Sequence, residues 1–323
     1  MAHPKPRLLV SQCIEFKSCR WNGLRISSDL VKLLKPFVEF VPVCPEMAIG
    51  LGVPRHPIRI VETPDEGQRL LQPASGIDCT ESMRTFANRY LDNVGLLDGA
   101  ILKSRSPSCG VKDVRVYPPN PKATPENKGV GIFAQQVKRR FPDLAIEDEG
   151  RLTNFAIREH FLTRVFSVAS FRRLEVDGSM GALVRFHAQH KFLLMAHSEA
   201  SMRALGRIVA NHEHLDVADV YAAYGAELRV GLAAPARVGP SINVLQHLYG
   251  FFSQDLSAAE RNYFLDSLDD YRAARVPLSV PVSVLRAWVI RFGNEYLLEQ
   301  ALFDPYPEDL IQITDSGKGR DLR

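Results

Sequence analysis

Three cysteines in this sequence each follow an apolar run, at the start of a polar turn. The runs are LLVSQC, which ends at Cys13, VPVCPE, which contains Cys44, and AILKSRSPSC, which ends at Cys109. A thiolate is a soft ligand for iron or zinc, and the carboxylate of Glu46, two residues after Cys44, can carry protons. The sequence therefore predicts a metal site with an acid–base group beside it.

Buried strands must bring these thiols together, because the cysteines are far apart in the chain. Strands are predicted at Arg7–Ser11, Val38–Val43 and Gly99–Lys103, and a helix capped by Ser27 or Ser28 joins the first two. Ligands of open α/β sheets bind outside the carboxyl ends of the strands, so the three thiols are expected to converge there. The alternative is that they are three ordinary buried cysteines.

The number of thiols restricts the kind of metal site. Three thiolates with no obvious fourth protein ligand are too few for a closed structural zinc site, but they suit a centre that keeps one position open. Cys19, within the first loop, and Cys79, at a helix start, fit this arrangement less well and are interpreted as bystanders.

Composition excludes several classes of protein. The chain has 323 residues, 46% of them hydrophobic, 24% charged, and a net charge of only +3, which predicts a globular protein of two domains without a domain-wide basic field. An odd count of five cysteines argues against a disulfide framework. No apolar leader follows the first residue and no run approaches the roughly 18 apolar residues of a membrane span, so we expect a cytoplasmic protein without membrane contact.

The pattern of elements changes near residue 154. Residues 1–154 alternate strands and helices, which predicts an α/β domain with a small Rossmann-like parallel sheet and helices on both faces. Val111–Lys128, rich in proline, lysine and asparagine, is expected to be a surface excursion. Residues 155–323 carry apolar residues at helical spacing, which predicts an all-α domain ending in a frayed tail at Ser316–Arg323.

The motifs of the first 154 residues resemble, in order, those of the thiouracil desulfidase family. They are SQC, CRWNG, PVCPEMAIGLGVPRHPIRI, GIDCTESM, KSRSPSCG, KGVGIF and EDEGRLTN. The helical half contains HKFLLMAHS and NVLQHLYGFF, and it is similar to the domain fused to this one in the branch that removes sulfur from 4-thiouridine in tRNA.

This resemblance implies a cofactor and a set of site residues. It implies a [4Fe-4S] cluster held by Cys13, Cys44 and Cys109, with Glu46 as the catalytic carboxylate. A catalytic serine is implied in the third motif, where it is Ser106 or Ser108. The iron without a cysteine ligand would take the substrate sulfur, because a soft thiocarbonyl suits it better than an oxygen does.

Other side chains have two interpretations. Lys103 and Arg105 either contact a phosphate or a developing negative charge, or they lie in a solvated loop. The spacing of three histidines in the helical half favours a polar interface over a metal site; they are His187, His190 and His197. Cations and aromatic residues of the same half form either an RNA-facing surface or solvated faces and core; they are Lys191, Arg203, Arg207, Arg229, Arg237, Arg286, Arg291, Tyr249, Phe251, Phe252, Trp288 and Tyr296.

These observations lead to one expected function and two alternatives. We expect a [4Fe-4S]-dependent desulfidase that converts 4-thiouridine in tRNA to uridine, with tRNA containing 4-thiouridine as its partner; no feature predicts a protein partner. A close variant would act on free thiouracil. A non-catalytic metal-bound protein that binds RNA or senses redox state is the alternative of another class, and Glu46 favours the enzyme because a sensor needs no proton carrier.

Overall fold

We describe the protein from a computed structural model, which describes residues 3–63, 65, 67–119 and 124–311. The strands are β1 (Arg7–Ser11), β2 (Glu39–Val43), β3 (Arg59–Thr63), β4 (Gly67–Gln72), β5 (Ile77–Asp78), β6 (Gly99–Leu102), β7 (Val114–Tyr117), β8 (Glu126–Gly129) and β9 (Ala145–Asp148). The helices among them are α1 (Asp29–Leu34), α2 (Pro45–Ala48), α3 (Thr80–Asn93) and α4 (Ile132–Arg140). The helices that follow are α5 (Phe155–Asp177), α6 (Met180–His197), α7 (Glu199–Ala210), α8 (Val217–Gly231), α9 (Val238–Gly250), α10 (Ala258–Arg272), α11 (Ser279–Phe292) and α12 (Glu295–Leu298).

The first sheet is parallel, with the order β2-β1-β6-β9. Its central strand β1 carries Leu8, Leu9 and Val10, which are all fully buried. Successive residues of a strand point to opposite faces, so burial of three in a row means that both faces of the sheet are covered. The predicted first strand has the observed bounds, and the predicted α/β fold class followed by helices is confirmed.

A second sheet was missed by the sequence analysis. Its order is β5-β4-β3-β7-β8, and all its pairings are antiparallel except that of β3 with β7. The prediction of a surface excursion at Val111–Lys128 is wrong, because β7 lies within it and β8 begins in it. In β7, buried Val114 and Val116 alternate with Arg115 and Tyr117, a pattern only four residues long among prolines and lysines. Residues 120–123 of the segment lie outside the described part.

One hydrophobic core joins both sheets and two helices. Leu9, Ala100 and Leu102 of the first sheet belong to the same buried cluster as Ile60 and Val116 of the second. Helix α3 contributes its buried face and α4 contributes the start of its first turn, through the buried side chains Met83, Ala87, Leu91, Ile132 and Phe133. This core fixes the strand ends that carry the cysteines.

In residues 155–311 of the described chain, all the regular elements are helices. Serine side chains accept bonds from the first turns of α6, α7 and α10; they are Ser179, Ser198 and Ser257. Compact units form from residues 5–161 and 162–309, so α5 contributes to both. The domain bounds 1–154 and 155–323 stay a prediction, and the tail Ser316–Arg323 lies outside the described residues. Within the described part, no helix is long and apolar enough to cross a bilayer.

Candidate active site

Four thiols line one cavity at the carboxyl ends of neighbouring strands. Cys13, Cys44 and Cys109 follow β1, β2 and β6, which are adjacent in the first sheet, and Cys19 reaches the same cavity from the first loop. The cavity has a volume of about 460 Å³, and all four cysteines are free thiols. Cys79 is also free but lies at the start of α3, outside this lining. The sequence reasoning thus placed three of the thiols together and missed the position of Cys19.

Three of the four thiols are neighbours, those of Cys13, Cys19 and Cys44. The Cys44 thiol donates to the carbonyl oxygen of Cys19 at 3.9 Å, and the Cys19 thiol interacts with those of Cys13 and Cys44. The interaction with Cys13, together with burial, raises the pKa of Cys19 to about 11. The interaction with Cys19, followed by burial, raises the pKa of Cys44, and burial raises that of Cys109. A bound cation reverses this preference for the neutral thiol, since it stabilises thiolates.

The chemistry and placement of the thiols fit an iron–sulfur cluster. Iron–sulfur clusters are held by cysteine thiolates, and thiolates are soft ligands that suit iron. Soft thiols from three adjacent strand ends around one cavity therefore fit an iron–sulfur cluster.

The carboxylate of Glu46 is held from both sides. Glu46 lies in the first turn of α2, and its Oε1 accepts a hydrogen bond from the Ser108 hydroxyl at 2.9 Å. Its Oε2 accepts two bonds from the Arg55 guanidinium, from Nε at 2.8 Å and from Nη2 at 2.5 Å. The side chains of Arg55 and Glu46 are only 4% and 14% exposed. This is a buried, doubly bonded ion pair at the wall of the thiol cavity.

Arg55 is a site residue that the sequence reasoning did not identify. Besides Glu46, its guanidinium donates to the carbonyl oxygens of Gly52 at 2.7 Å and Cys19 at 3.0 Å. Its backbone N–H donates to the carbonyl oxygen of Trp21 at 2.8 Å. Arg55 therefore ties the loop that carries Cys19 to the helix that carries Glu46. The sequence signal was the unusual content of turn residues between Pro45 and Pro57, which is more than a connector needs.

The two serines of the third motif have different positions. Ser108 is fully buried and donates to Glu46. The Ser106 hydroxyl accepts the backbone N–H groups of Ser108 at 3.2 Å and Cys109 at 3.1 Å, so it shapes the turn. Gly131 presses against this turn: a Cβ there would lie 2.4 Å from the carbonyl oxygen of Ser108. Both serines remain predicted catalytic residues, and Ser108 is the one in contact with the carboxylate.

The two predicted substrate-binding cations differ in their surroundings. The Lys103 ammonium pairs with Glu149 at 2.6 Å and donates to the Ser104 hydroxyl at 2.8 Å. Arg105 is exposed, has a left-handed backbone with φ of 55°, and lines the thiol cavity without a carboxylate partner in the described chain. Arg105 is therefore the cation better placed for an anionic ligand.

The three histidines of the helical half, His187, His190 and His197, each contact a different partner. The Nδ1 atoms of His190 and His197 contact the carbonyl oxygens of Phe186 at 3.0 Å and Ala234 at 2.9 Å. His187 lies 3.2 Å from the Tyr224 hydroxyl. The interpretation that they mark a polar interface and not a metal site stays a prediction.

The residues of the predicted RNA-facing surface differ in their surroundings, and the surface itself stays a prediction. Three of its arginines are engaged by carboxylates: Arg203 by Glu199, Arg286 by Asp304 and Glu308, and Arg291 by Glu260. Phe252 and Trp288 belong to the helical core. Two of its aromatic side chains, Phe251 and Tyr296, remain exposed beside the exposed Lys191.

The chain is similar to known proteins in both of its halves. A family model described as 2-thiouracil desulfurase matches residues 8–149, and a model described as a protein of unknown function, DUF1722, matches residues 191–307. The chain is 30% identical over 158 residues to the Escherichia coli (strain K12) protein YbgA, covering 48% of this chain and 93% of YbgA. It is 34% identical over 109 residues to the Bacillus subtilis (strain 168) protein YbbK, covering 32% of this chain and 72% of YbbK.

Among solved structures, a [4Fe-4S]-dependent thiouracil desulfidase, TudS, is similar at 25% identity with a TM-score of 0.37. The match covers 46% of this chain and 93% of TudS. On the family models and the two relatives, which it covers over most of their lengths, the chain belongs to the 2-thiouracil desulfurase family, with a DUF1722 region in its helical half.

Proposed function

We propose that this chain is a [4Fe-4S]-dependent desulfidase that converts 4-thiouridine in tRNA to uridine. The observation that carries the proposal is the cavity of a desulfurase-family chain in which free thiols adjoin a carboxylate bonded to a serine. Desulfuration exchanges C=S for C=O: water supplies the oxygen, sulfur leaves as sulfide, and no net oxidation occurs. The chain must therefore hold a sulfur acceptor and move protons.

Cys13, Cys44 and Cys109 would hold the cluster, because they are the thiols at the three adjacent strand ends. When bound, the cluster supplies a soft Lewis acid for the thiocarbonyl sulfur. Cys19 lies in the same cavity but is not assigned as a ligand, and its carbonyl oxygen accepts a hydrogen bond from Arg55.

The chain's own residues supply the proton transfer. Water that adds to the ring carbon must lose its protons, and the departing sulfur must gain one. Glu46 is the carboxylate of the cavity wall, and one of its oxygens contacts only the Ser108 hydroxyl among the hydrogen bonds found in the described residues. Ser108 can relay or orient a proton at that oxygen, while Arg55 holds the other oxygen in place.

The tRNA specificity is supported by features outside the catalytic residues. A free base needs no second region, whereas this chain carries a helical half with exposed Phe251, Tyr296 and Lys191. Exposed aromatic and cationic side chains are the groups that contact unpaired bases and phosphates. Arg105, which has no ion-pair partner among the described residues, adds a cation at the catalytic cavity itself.

The test is the ultraviolet absorbance of tRNA incubated with anaerobically purified protein. We expect the 4-thiouridine band to disappear with release of one sulfide per thiolated base, and the Cys44→Ser variant to leave the band unchanged. Free 4-thiouracil and 2-thiouracil are assayed in parallel. Faster desulfuration of a free base than of tRNA would favour the alternative function, a desulfidase of free thiouracil. An iron-loaded protein that changes neither substrate would contradict the enzyme and favour the sensing alternative.

A further inference from the structure

Cys19 is a buried thiol of the catalytic cavity that neither the proposed ligand set nor the proposed proton transfer uses. The residue is only 1% exposed, and it lines the cavity together with Cys13, Cys44 and Cys109. Its thiol interacts with the thiols of Cys13 and Cys44. A structural cysteine packs as a small apolar side chain, whereas Cys19 lies against other sulfur atoms. Thiols that are neighbours in space are the groups that form disulfides.

The position of Cys19 is fixed by contacts within the protein. Its backbone N–H donates to the carbonyl oxygen of Lys17 at 2.9 Å, and its own carbonyl oxygen accepts a hydrogen bond from Arg55 at 3.0 Å. The N–H of Lys17 donates to the carbonyl oxygen of Gln12 at 2.8 Å, which folds the loop back to the residue before Cys13. None of these three bonds involves a sulfur atom. They therefore hold Cys19 beside Cys13 whether or not a cluster is bound.

The contacts of the thiols favour Cys13 over Cys44 as the partner of Cys19. The Cys44 sulfur is engaged by the carbonyl oxygen of Cys19 and by the backbone of Met47, in the first turn of α2. Cys13 and Cys19 belong to one loop, and rotation of their side chains can bring the neighbouring sulfur atoms to the disulfide bond length of about 2.05 Å. Cys13 is partly exposed and Cys19 is buried, so a small oxidant that enters the cavity reaches Cys13 first.

We infer that Cys13 and Cys19 form a redox modification site, in which Cys19 makes a disulfide with Cys13 when a peroxide oxidises the cluster-free chain. The peroxide converts the Cys13 thiol to a sulfenic acid and is reduced to water. The Cys19 sulfur then attacks the Cys13 sulfur, the S–S bond forms, and the sulfenic oxygen leaves as a second water. The two sulfur atoms together lose two electrons, which one peroxide takes up.

This disulfide has two consequences for the site. It removes Cys13 from the proposed ligands, so the cluster and the disulfide exclude each other. It also stops the oxidation of Cys13 before the sulfinic acid, which thiol reductants do not restore, whereas they do reopen a disulfide. Cys19 thus keeps the ligand recoverable after the cluster is lost. The inference concerns the thiols alone and holds for either thiopyrimidine substrate.

The test maps the cysteine pairs of the full chain after oxidation. Anaerobically purified protein is treated with a small excess of hydrogen peroxide, free thiols are blocked with N-ethylmaleimide, and the chain is digested with trypsin without reductant. Trypsin cuts after lysine and arginine, so Cys13 lies in peptide 8–17, Cys19 in peptide 18–20, and each other cysteine in a peptide of its own. We expect mass spectrometry to find these two peptides joined, and dithiothreitol to separate them.

Iron recovery tests the role of Cys19 with a matched control. Cys19→Ser and Cys79→Ser each remove one buried thiol, but Cys79 lies outside the cavity. Both variants should keep most of the iron before peroxide is added. After peroxide, dithiothreitol and reconstitution with iron and sulfide, wild type and Cys79→Ser should regain most of their iron. Cys19→Ser should regain at least about twofold less, because its Cys13 goes on to the sulfinic acid.

The outcomes decide the inference without any measurement of turnover. Absence of the joined peptides, or Cys13 joined to Cys44 or Cys109 in their place, overturns it. Equal iron recovery by Cys19→Ser and Cys79→Ser also overturns it, because Cys13 would then survive oxidation without Cys19. A chain that desulfurises no thiopyrimidine would refute the proposed function, while the peptide masses and iron contents would still decide whether Cys13 and Cys19 form the disulfide.

Discussion

The ion pair between Glu46 and Arg55 allows stability and catalysis to be separated in one experiment. The perturbations are Glu46→Gln, Arg55→Gln and the double variant. In Glu46→Gln, the amide keeps the shape of the carboxylate but leaves the Arg55 charge without a partner at 4% exposure. Breaking a buried pair costs about 3–5 kcal/mol, and the 14% exposure of Glu46 admits water, so we expect the lower end, about 3 kcal/mol of unfolding free energy.

The double variant removes both charges and should recover part of this loss. We expect a coupling free energy of about 1.5–2 kcal/mol between the two positions. Recovery is incomplete because Arg55 also donates to the carbonyl oxygens of Gly52 and Cys19, which the shorter glutamine does not reach together. Turnover should not recover: both Glu46→Gln and the double variant should lose about a hundredfold or more, because neither has the titrating carboxylate.

Urea unfolding followed by tryptophan fluorescence measures the stability. A Trp288→Phe background leaves Trp21 as the fluorophore, and Trp21 lines the thiol cavity. Iron content and single-turnover desulfuration are measured on the same samples. Additive single losses, with no coupling, would refute the ion-pair reasoning. A Glu46→Gln variant with full iron and near wild-type turnover would remove Glu46 from the proton transfer.

Three further predictions test other parts of the chain. Cys13→Ser, Cys44→Ser and Cys109→Ser should each abolish the brown colour and iron binding of anaerobically purified protein. Cys79→Ser, outside the cavity, and Cys19→Ser should keep most of the iron, and equal iron in all five variants would contradict the ligand assignment. Gly131→Ala should displace the turn of Ser108 and Cys109, because the new Cβ would lie within 2.4 to 2.8 Å of their backbone atoms, and iron content and turnover should both fall. Gly239→Ala, whose Cβ meets nothing within 4 Å, is the control. Normal iron content in Gly131→Ala would contradict the close packing. Burial lowers the pKa of His190 from 6.5 to about 4, and repulsion from His187 and His3 adds to this effect. As the pH falls, His190 is therefore protonated in the unfolded chain before it is protonated in the folded chain. The free energy of unfolding should fall by about 3 kcal/mol at most between pH 6.5 and 4. His190→Gln keeps a donor for the Phe186 carbonyl and should flatten that part of the acid titration followed by Trp288 fluorescence; an unchanged slope would show that His190 is not responsible.

The strands that precede Cys13, Cys44 and Cys109 could be predicted from the sequence because each is a mainly apolar run before a polar turn. Arg7–Ser11 was predicted with its observed bounds, and the convergence of Cys13, Cys44 and Cys109 followed from the rule for strand ends. The second sheet could not be predicted in the same way. Gly67–Gln72 has the sequence GQRLLQ, with neither an apolar run nor clean alternation, and it becomes a strand by pairing with β3.

The site residues that were missed depend on contacts distant in sequence. Arg55 lies nine residues from Glu46, but it also contacts Cys19, 36 residues away, and one sequence gives no sign of that meeting. Cys19 was dismissed because it follows no strand, yet its loop folds back until the backbone N–H of Arg55 reaches the Trp21 carbonyl. Apolar patterns in the sequence predict buried strands well. The partners of a buried charge can be identified only in the folded structure, because they are distant in the sequence.

The two sheets contribute different parts of the proposed site. The first sheet provides the thiols at its strand ends, and the turn of Ser108 and Cys109 is locked against α4 by Gly131. The second sheet provides the wall of an adjoining cavity, and Pro57, Ile58, Arg105 and Pro107 line both cavities. Changes at Arg59 or Arg115 should therefore leave iron content normal, whereas Gly131→Ala should lower iron content. Iron lost in both kinds of variant would mean that the two walls are not separate parts of the site.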